Sequence, residues 1–207
     1  MQKQLISAAE HLSANDPKLA PVIARAGLAS FAPHQNYYQS LCDSIISQQL
    51  SVKAAATIEG RFRDLFGGDW PAPEAILQKS IEELRSVGLS GAKANYIRDL
   101  AEHIVDGRLK FDKLDTQSNE EIITDLTDVK GIGEWTVHMF LMFCMGRLDV
   151  LAAGDLGVRN GIVKLYGFES VPTHQELKII AEKNNWHTYE SAACWYIWHS
   201  LDNKSAL

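Results

Sequence analysis

Residues 126–143 read LTDVKGIGEWTVHMFLMF, and after a loop residues 152–161 read AAGDLGVRNG. Between two segments with helical apolar spacing, Gly131 and Gly133 punctuate a tight turn, and both can adopt φ > 0 without steric cost. A turn of this kind ahead of a helix aims successive backbone N–H groups at one point, where the helix dipole also favours an anion. The sequence therefore predicts a phosphate-binding turn.

The second feature is Asp155, which lies twenty residues after Trp135 in the segment GDLGV. A new helix should begin here, because an aspartate between a glycine and an apolar-periodic run is a good N-cap. A helix from Glu134 to about Gly146 is expected to join the turn to this acid. Taken alone, Asp155 is best interpreted as a helix cap.

The rest of the chain has the pattern of helices joined by short turns. Apolar residues recur at i, i+3 and i+4 throughout, and strict alternation is almost absent, so the predicted fold is all-α. Serine or threonine followed three residues later by glutamate marks three helix starts. Leu5, Ile6, Ala9 and Leu12 mark a first amphipathic helix, and a second runs from the N-cap Asp16, with Pro17 at the first helical position, to Gly27. Further helices are predicted at 36–48 and 52–66, from the cap Ser80 with Glu83 to Gly88, from Ser90 to about Val105, from Asp155 to Gly167 and from Tyr189 to Leu201. Two more begin at the caps Ser118 with Glu121 and Thr173 with Glu176.

The composition is that of an ordinary globular protein. The 207 residues are 46% apolar and 22% charged, and no apolar run reaches the roughly 18 residues of a membrane span. The N-terminus lacks the apolar core of a signal peptide, so a cytoplasmic protein is expected. Cys42, Cys144 and Cys194 are far apart, form no CxxC pair and have apolar helical neighbours, which favours buried thiols.

The net charge of −6 and the pI of about 5.6 are unusual for a protein that binds nucleic acid. Phosphate binding depends on the local field, however. Four basic residues are near the turn and the acid in sequence: Lys130, Arg147, Arg159 and Lys164. Any DNA affinity is therefore expected to be modest and sensitive to salt.

Four motifs together make the chain recognisable. They are IISQQLSVKAAA at 45–56, GLSGAKANYI at 88–97, GIGEWT at 131–136 and DLGV at 155–158. In this order they resemble the helix-hairpin-helix (HhH-GPD) DNA glycosylases, whose hairpin is followed by a Gly/Pro-rich loop and an obligatory aspartate. The resemblance is closest to the 3-methyladenine DNA glycosylase II branch. The four closing cysteines of the endonuclease III branch are absent, which excludes an iron–sulfur site built as in those relatives.

The resemblance implies a single compact domain with two helical lobes. One lobe is expected at 36–144, with the hairpin, and the other at 1–35 together with 145–207. A cleft between the lobes would hold the site.

The resemblance also implies roles for the acid and for two tryptophans. Asp155 would face the cleft and stabilise the cationic sugar as the N-glycosidic bond breaks, and could orient or deprotonate the attacking water. Trp135 occupies the position of a Schiff-base lysine in relatives that also cut the backbone, so a monofunctional enzyme is implied. Trp135 could stack on a cationic base or pack in the core. Trp198 matches a pocket aromatic, with core packing as the alternative, and Trp195 is expected in the core.

DNA contacts are implied at the hairpin and at one other turn. Lys130, Gly131 and Gly133 would grip a phosphate. An enzyme that extrudes a base from a duplex needs a side chain to fill the gap. In this chain the candidates are Gln48, Gln49 and Leu50, and the alternative is a polar turn that caps the next helix through Ser51.

The chain departs from the family pattern at two places. It has Val-Lys-Gly where relatives commonly have Leu-Pro-Gly, and Ala152-Ala153 where a proline is usual. Lys130 could add a phosphate contact, and the loop before Asp155 should be looser. The turn at Gly88 to Gly91, followed by Lys93, is predicted to be structural.

These observations predict a monofunctional DNA glycosylase of base excision repair that removes alkylated bases of the 3-methyladenine and 7-methylguanine type. Such bases are cationic, so one carboxylate and an aromatic pocket suffice. The alternatives are a non-catalytic DNA-binding protein and a glycosylase for deaminated or oxidised bases. Damaged double-stranded DNA is the expected partner of a monomer in the cytoplasm, or at the nucleoid of a bacterium. No cofactor is required, although the carbonyls near Gly131 and Gly133 could hold a monovalent cation.

Overall fold

The computed structural model describes residues 1–201, which form an all-α protein with no strand in that range. The prediction of the fold class is confirmed. The α-helices are α1 Gln2–Asn15, α2 Ala20–Ala26, α3 Tyr37–Ser47, α4 Val52–Asp64, α5 Pro73–Leu77, α6 Ile81–Ser86, α7 Gly91–Val105, α8 Asn119–Thr127, α9 Glu134–Met139, α10 Leu156–Tyr166, α11 His174–Lys183 and α12 Glu190–Leu201. A 3₁₀-helix spans Phe111–Thr116.

The chain divides into two compact units. Residues 34–140 form one, the hairpin unit, and residues 1–33 with the chain from 141 onward form the other, the terminal unit. The predicted cleft between lobes stays a prediction. None of the described helices combines the length and the apolar character needed to cross a bilayer.

In the hairpin unit, local hydrogen bonds set the helix starts. Ser51 and Ser90 each cap a helix with their hydroxyl, and capping boxes form at Ser80 with Glu83 and at Ser118 with Glu121. Each such cap stabilises a helix by about 1 kcal/mol. The helices bury a core of fully enclosed side chains that includes Leu41, Ile45, Ile46, Phe62, Ile76, Leu84, Ile97, Leu100 and Leu126.

In the terminal unit, helix α10 packs against α12 through a glycine. A Cβ on Gly161 would lie 2.2 Å from Cγ2 of Ile197, so only glycine permits this approach. Helix α1 buries Leu5 and Leu12, whereas Ile6 is exposed. The helices that follow Asp155 and Thr173 begin at those caps, as predicted.

The predicted start of α2 is wrong by three residues. The carboxylate of Asp16 is fully buried and accepts the N–H groups of Lys18 and Leu19 at 2.9 and 3.0 Å. It also accepts the indole N–H of Trp186 at 2.7 Å and the hydroxyl of Tyr166. Asp16 therefore caps a turn and not the helix, which begins only at Ala20.

The segment after the hairpin is not one α-helix from Glu134 to Gly146. The α-helical part ends at Met139, and Phe140–Cys144 forms a π-helical turn. Such turns occur mostly as short insertions inside α-helices, frequently at functional sites. Gly146, at φ 73°, follows, and a Cβ there would lie 2.8 Å from Cβ of Pro33.

Candidate active site and DNA-binding elements

The hairpin turn depends on one of its two glycines for its backbone conformation. Gly131 has φ 84°, and a Cβ there would lie 2.1 Å from Cδ2 of Tyr96, so both the backbone angle and the neighbouring ring require glycine. Gly133 has φ −96° and ψ 166°, which any residue adopts, and nothing lies within 4 Å of a Cβ there. Of the two glycines, Gly131 alone therefore uses the positive φ that both could adopt.

The residues at the start of α9 are exposed to solvent. Gly133 is its N-cap, without a side-chain cap, and Gly133, Glu134 and Trp135 are all exposed. Trp135 exposes 52% of its surface, so it does not pack in the core. The N-terminus of a helix is where proteins commonly bind anions. The carboxylate of Glu134 lies 3.6 Å from Nε2 of His138.

Lys130 contacts Asp99 of α7 through both its backbone and its side chain. Its backbone N–H donates to Oδ2 of Asp99 at 2.9 Å, and its ammonium lies 3.1 Å from Oδ1. Burial opposes the charge of Asp99, but the hydrogen bonds from the Lys130 backbone and side chain outweigh it and hold the pKa of this carboxyl below its usual value. The side chain of Lys130 remains 75% exposed.

The turn between α3 and α4 is tied to the hairpin. The side-chain amide of Gln48 donates to the carbonyl oxygen of Gly131 at 2.8 Å. The ammonium of Lys93 donates to the carbonyls of Ile46 and Gln48 at 2.8 and 2.6 Å. Burial lowers the pKa of Lys93. Lys93 therefore braces the turn that carries the gap-filling candidates.

The three gap-filling candidates differ in their surroundings. Gln48 is engaged with the hairpin through its amide. Gln49 is exposed and takes φ 57°, a left-handed conformation that turns the chain at this point. Leu50 is 37% exposed, and Val52, at the start of α4, is 90% exposed. The predicted cap is also present, because Ser51 accepts the N–H of Ala54 at 3.3 Å.

In the terminal unit, Asp155 is both a helix cap and part of a second contact. Its Oδ1 accepts the N–H of Val158 at 2.7 Å and the indole N–H of Trp198 at 2.7 Å. Its own N–H donates to the carbonyl of Ala152 at 3.0 Å. Gly157 completes this arrangement, since a Cβ there would lie 3.0 Å from the same Oδ1 and 3.1 Å from Nε1 of Trp198. The orientation of the carboxylate is fixed by these contacts.

Phe31, Phe143 and Trp198 form an aromatic row that ends at this carboxylate. The ring of Trp198 stacks on Phe143 with centroids 6.0 Å apart, and Phe143 stacks on Phe31 at 5.6 Å. Trp198 is half-buried, and Phe143 is 37% exposed. The sequence does not single out Phe31 or Phe143, which resemble core residues of their segments. Trp195 is only partly buried and stacks on His199 at 5.0 Å, so it is not the core residue that was expected.

Two of the nearby basic residues are anchored within the terminal unit. The guanidinium Nε of Arg159 donates to the carbonyl of Pro172 at 2.6 Å, and the ammonium of Lys164 donates to the carbonyl of Ser200 at 2.7 Å. Lys164 thereby satisfies a carbonyl in the last turn of α12, which is a structural role. These contacts restrict the reach of both side chains.

The hairpin carbonyls that could hold a monovalent cation already accept hydrogen bonds. The oxygen of Gly131 accepts from Gln48, and that of Gly133 accepts the N–H of Val137 at 3.1 Å. Within residues 1–201, no three His, Cys, Asp or Glu side chains are grouped so that they could hold a metal. The three cysteines are buried and form no disulfide, as predicted.

A comparison with protein families identifies the chain. The model of the HhH-GPD superfamily of base excision DNA repair proteins matches residues 42–185. The chain belongs to this superfamily. The family predicted from the four motifs is confirmed.

Individual relatives agree with this assignment. DNA-3-methyladenine glycosylase 1 of Schizosaccharomyces pombe is 33% identical over 201 residues, which cover 94% of this chain and 86% of the relative. The crystal structure of a DNA-3-methyladenine glycosidase from Bacillus halodurans superposes with a TM-score of 0.85 at 41% identity, covering 95% of this chain and 89% of the other. The S. pombe enzyme Mag1, in complex with abasic DNA, superposes with a TM-score of 0.77 at 34% identity, covering 93% and 95%.

Proposed function

We propose that this protein is a monofunctional DNA glycosylase that removes alkylated bases, chiefly of the 3-methyladenine and 7-methylguanine type, from damaged double-stranded DNA. It acts in base excision repair as a monomer and leaves an abasic site. The observation that carries the proposal is the carboxylate of Asp155, which is held in one orientation by Val158 and Trp198 beside an aromatic row. Relatives named as 3-methyladenine glycosylases support the choice of substrate.

Asp155 supplies the charge that this reaction needs. Cleavage of an N-glycosidic bond develops positive charge on the sugar, and a preorganised carboxylate stabilises it without reorganising in the transition state. The two donors on Oδ1 fix the carboxylate. An alkylated purine such as 3-methyladenine is cationic, so it leaves without a general acid. The same carboxylate orients the water that attacks the sugar.

Trp135 explains why the enzyme stops at the abasic site. An indole has no amine to form a Schiff base with the sugar, and the position after the hairpin is where a lyase lysine would be expected. Its exposed ring instead offers a π surface to a cationic base, an interaction of about 0.5–2 kcal/mol. Trp198 and its neighbour Phe143 form a second aromatic surface next to Asp155.

Gln49 is the best candidate to fill the gap left by the extruded base. It is exposed at the left-handed point of the turn, whereas the amide of Gln48 is used to hold the hairpin. Leu50 lies beside Gln49 as an apolar wedge. The backbone of Gly131 and Gly133 binds a phosphate of the same DNA and so holds the duplex while the base is out of the stack.

Base release from methylated duplex DNA, measured in chelator, tests the proposal. The natural protein should release 3-methyladenine or 7-methylguanine without cutting the strand. Asp155→Asn should remain folded by circular dichroism and should lose at least about a hundredfold in rate, because the developing charge loses its partner. Release of deaminated or oxidised bases only would reassign the substrate. DNA binding without any base release would leave a non-catalytic DNA-binding protein.

A further inference from the structure

The hairpin of this chain has a lysine where the family it resembles commonly has a proline. A proline fixes its own φ near −65° and has no N–H. Lys130 has an N–H, and this group donates to Oδ2 of Asp99 at 2.9 Å while the ammonium lies 3.1 Å from Oδ1. One carboxylate thus holds the backbone and the side chain of the same residue, directly before Gly131.

Asp99 is well placed to act as a fixed anchor. It lies in the middle of α7 and is only 8% exposed. Nδ1 of the buried His103 donates to the backbone carbonyl of Asp99 at 2.7 Å and lies 3.4 Å from Oδ2. A carboxylate buried to this degree is stable only when it is paired and hydrogen-bonded, and Lys130 supplies both conditions.

We propose that Asp99 is a positioning residue for the hairpin. It fixes the backbone of Lys130 and Gly131 in the conformation that grips DNA, and so replaces the constraint of the missing proline ring. Lys130 then stabilises the turn through its backbone N–H, and its ammonium pairs with the carboxylate of Asp99 in preference to binding a phosphate. We call the contact of the Asp99 carboxylate with the backbone N–H and the ammonium of Lys130 the clamp. This inference rests on the proposed function, because it assigns the clamp a role in binding DNA.

If the clamp positions the hairpin, removal of Asp99 changes the DNA affinity in the direction opposite to that expected from charge repulsion alone. Removing an acid from a DNA-binding surface should strengthen DNA binding, because one source of repulsion is lost. If Asp99 holds the turn, its removal instead weakens binding, because the amide groups that face the phosphate are no longer preorganised. The direction of the change therefore separates the two roles.

The test measures DNA binding by fluorescence anisotropy with an undamaged duplex and with a duplex that contains a stable abasic analogue. Asp99→Asn should raise Kd by about tenfold on both duplexes, as expected for loss of hydrogen bonds to a charged group. The single-turnover rate at saturating DNA should stay within about twofold. Glu102→Gln is the matched control, because it removes one negative charge from the same helix. An Asp99→Asn protein that binds as tightly as the natural one, or more tightly, would overturn the proposal.

A second pair of variants tests the replacement of proline directly. Lys130→Pro alone removes both Lys130 donors from the carboxylate of Asp99 and should lower the thermal midpoint. Asp99→Asn/Lys130→Pro should bind DNA more tightly than Asp99→Asn, because the ring restores the constraint. Lys130→Met keeps the N–H and should leave the salt slope of binding unchanged, whereas loss of a phosphate contact would reduce that slope by about 0.9.

Hydrogen exchange separates failure of this inference from failure of the proposed function. In the absence of DNA, the amides of Lys130 and Ile132 should exchange faster in Asp99→Asn than in the natural protein, while the core amides of α7 keep their protection. Unchanged exchange of the Lys130 and Ile132 amides in Asp99→Asn would reject the clamp, whether or not the protein releases bases. Faster exchange in a protein that binds no DNA would preserve the clamp and reject the DNA-related function.

Discussion

The indole nitrogen of Trp198 donates to Oδ1 of Asp155 at 2.7 Å, and the N–H of Val158 donates to the same oxygen at the same distance. The first contact comes from α12 and the second from the first turn of α10. A capping aspartate normally needs only the second. The additional donor shows that this carboxylate is oriented by tertiary structure, which is what a group that must face developing charge requires.

Trp198→Phe tests the importance of that donor. The ring and its stacking on Phe143 are largely kept, but a hydrogen bond to a charged group, worth roughly 1.5–3 kcal/mol, is lost. The single-turnover rate of base release should fall about ten- to a hundredfold. Trp195→Phe is the control, because Trp195 stacks on His199 and should lose less than about threefold. Equal losses in both variants would mean that Trp198 acts through packing alone.

The two hairpin glycines should respond differently to alanine. Gly131→Ala places a Cβ 2.1 Å from the ring of Tyr96 at φ 84°, so the turn must rearrange at a cost of several kcal/mol. Thermal unfolding should show a clear loss of stability, and DNA binding should be abolished. These two effects together define a glycine that the fold itself requires.

Gly133→Ala is the companion variant. Nothing lies within 4 Å of a Cβ at Gly133, and its φ of −96° suits any residue, so the thermal midpoint should stay within a few degrees. DNA binding should nevertheless weaken, because the new methyl group lies on the exposed surface where a phosphate would approach. Full DNA affinity in Gly133→Ala would place the phosphate elsewhere.

Local patterns predicted most of the helix starts and ends, because a cap and the helix it begins are neighbours in sequence. Ser80, Ser118 and Thr173 all form the boxes that were expected of them. Asp16 did not begin a helix, since its carboxylate also receives donors from Trp186 and Tyr166, which are far away in sequence. Helix propensities depend on neighbouring residues and do not reflect such distant partners.

The same reason limits what could be predicted of the candidate site. The sequence nominates Asp155, Trp198 and Lys130 one by one, through their positions in motifs. The contacts between Trp198 and Asp155 and between Lys130 and Asp99 join residues 43 and 31 positions apart. Asp99 lies in none of the four motifs, and Lys93 lies in one that was interpreted only as structural. The contacts of both residues therefore became known only from the packing of α7 against the two turns.

Gln49→Ala tests the role of the turn between α3 and α4. Without a side chain to occupy the gap, the extruded base should return to the stack more readily, so base release from duplex DNA should slow by about ten- to a hundredfold. Release from single-stranded DNA should change little, because no gap has to be filled there. An equal loss on both substrates, measured in single turnover, would contradict a gap-filling role.

Buried thiols should make the folded state sensitive to alkaline pH. Burial raises the pKa of Cys42 and of Cys194 from an ordinary value of 9.0 to about 12. The unfolded chain therefore loses these protons first, so their contribution to stability is complete below pH 9 and is lost as the pH rises towards 12. At pH 10.5 the loss should be roughly 2 kcal/mol per thiol. Urea unfolding at pH 8 and pH 10.5 measures the loss, and Cys42→Ala/Cys194→Ala should show a smaller difference between the two pH values. An equal difference in both proteins would mean that other groups govern alkaline unfolding, such as the half-buried Tyr38 and Tyr166, whose pKa values are also raised by burial.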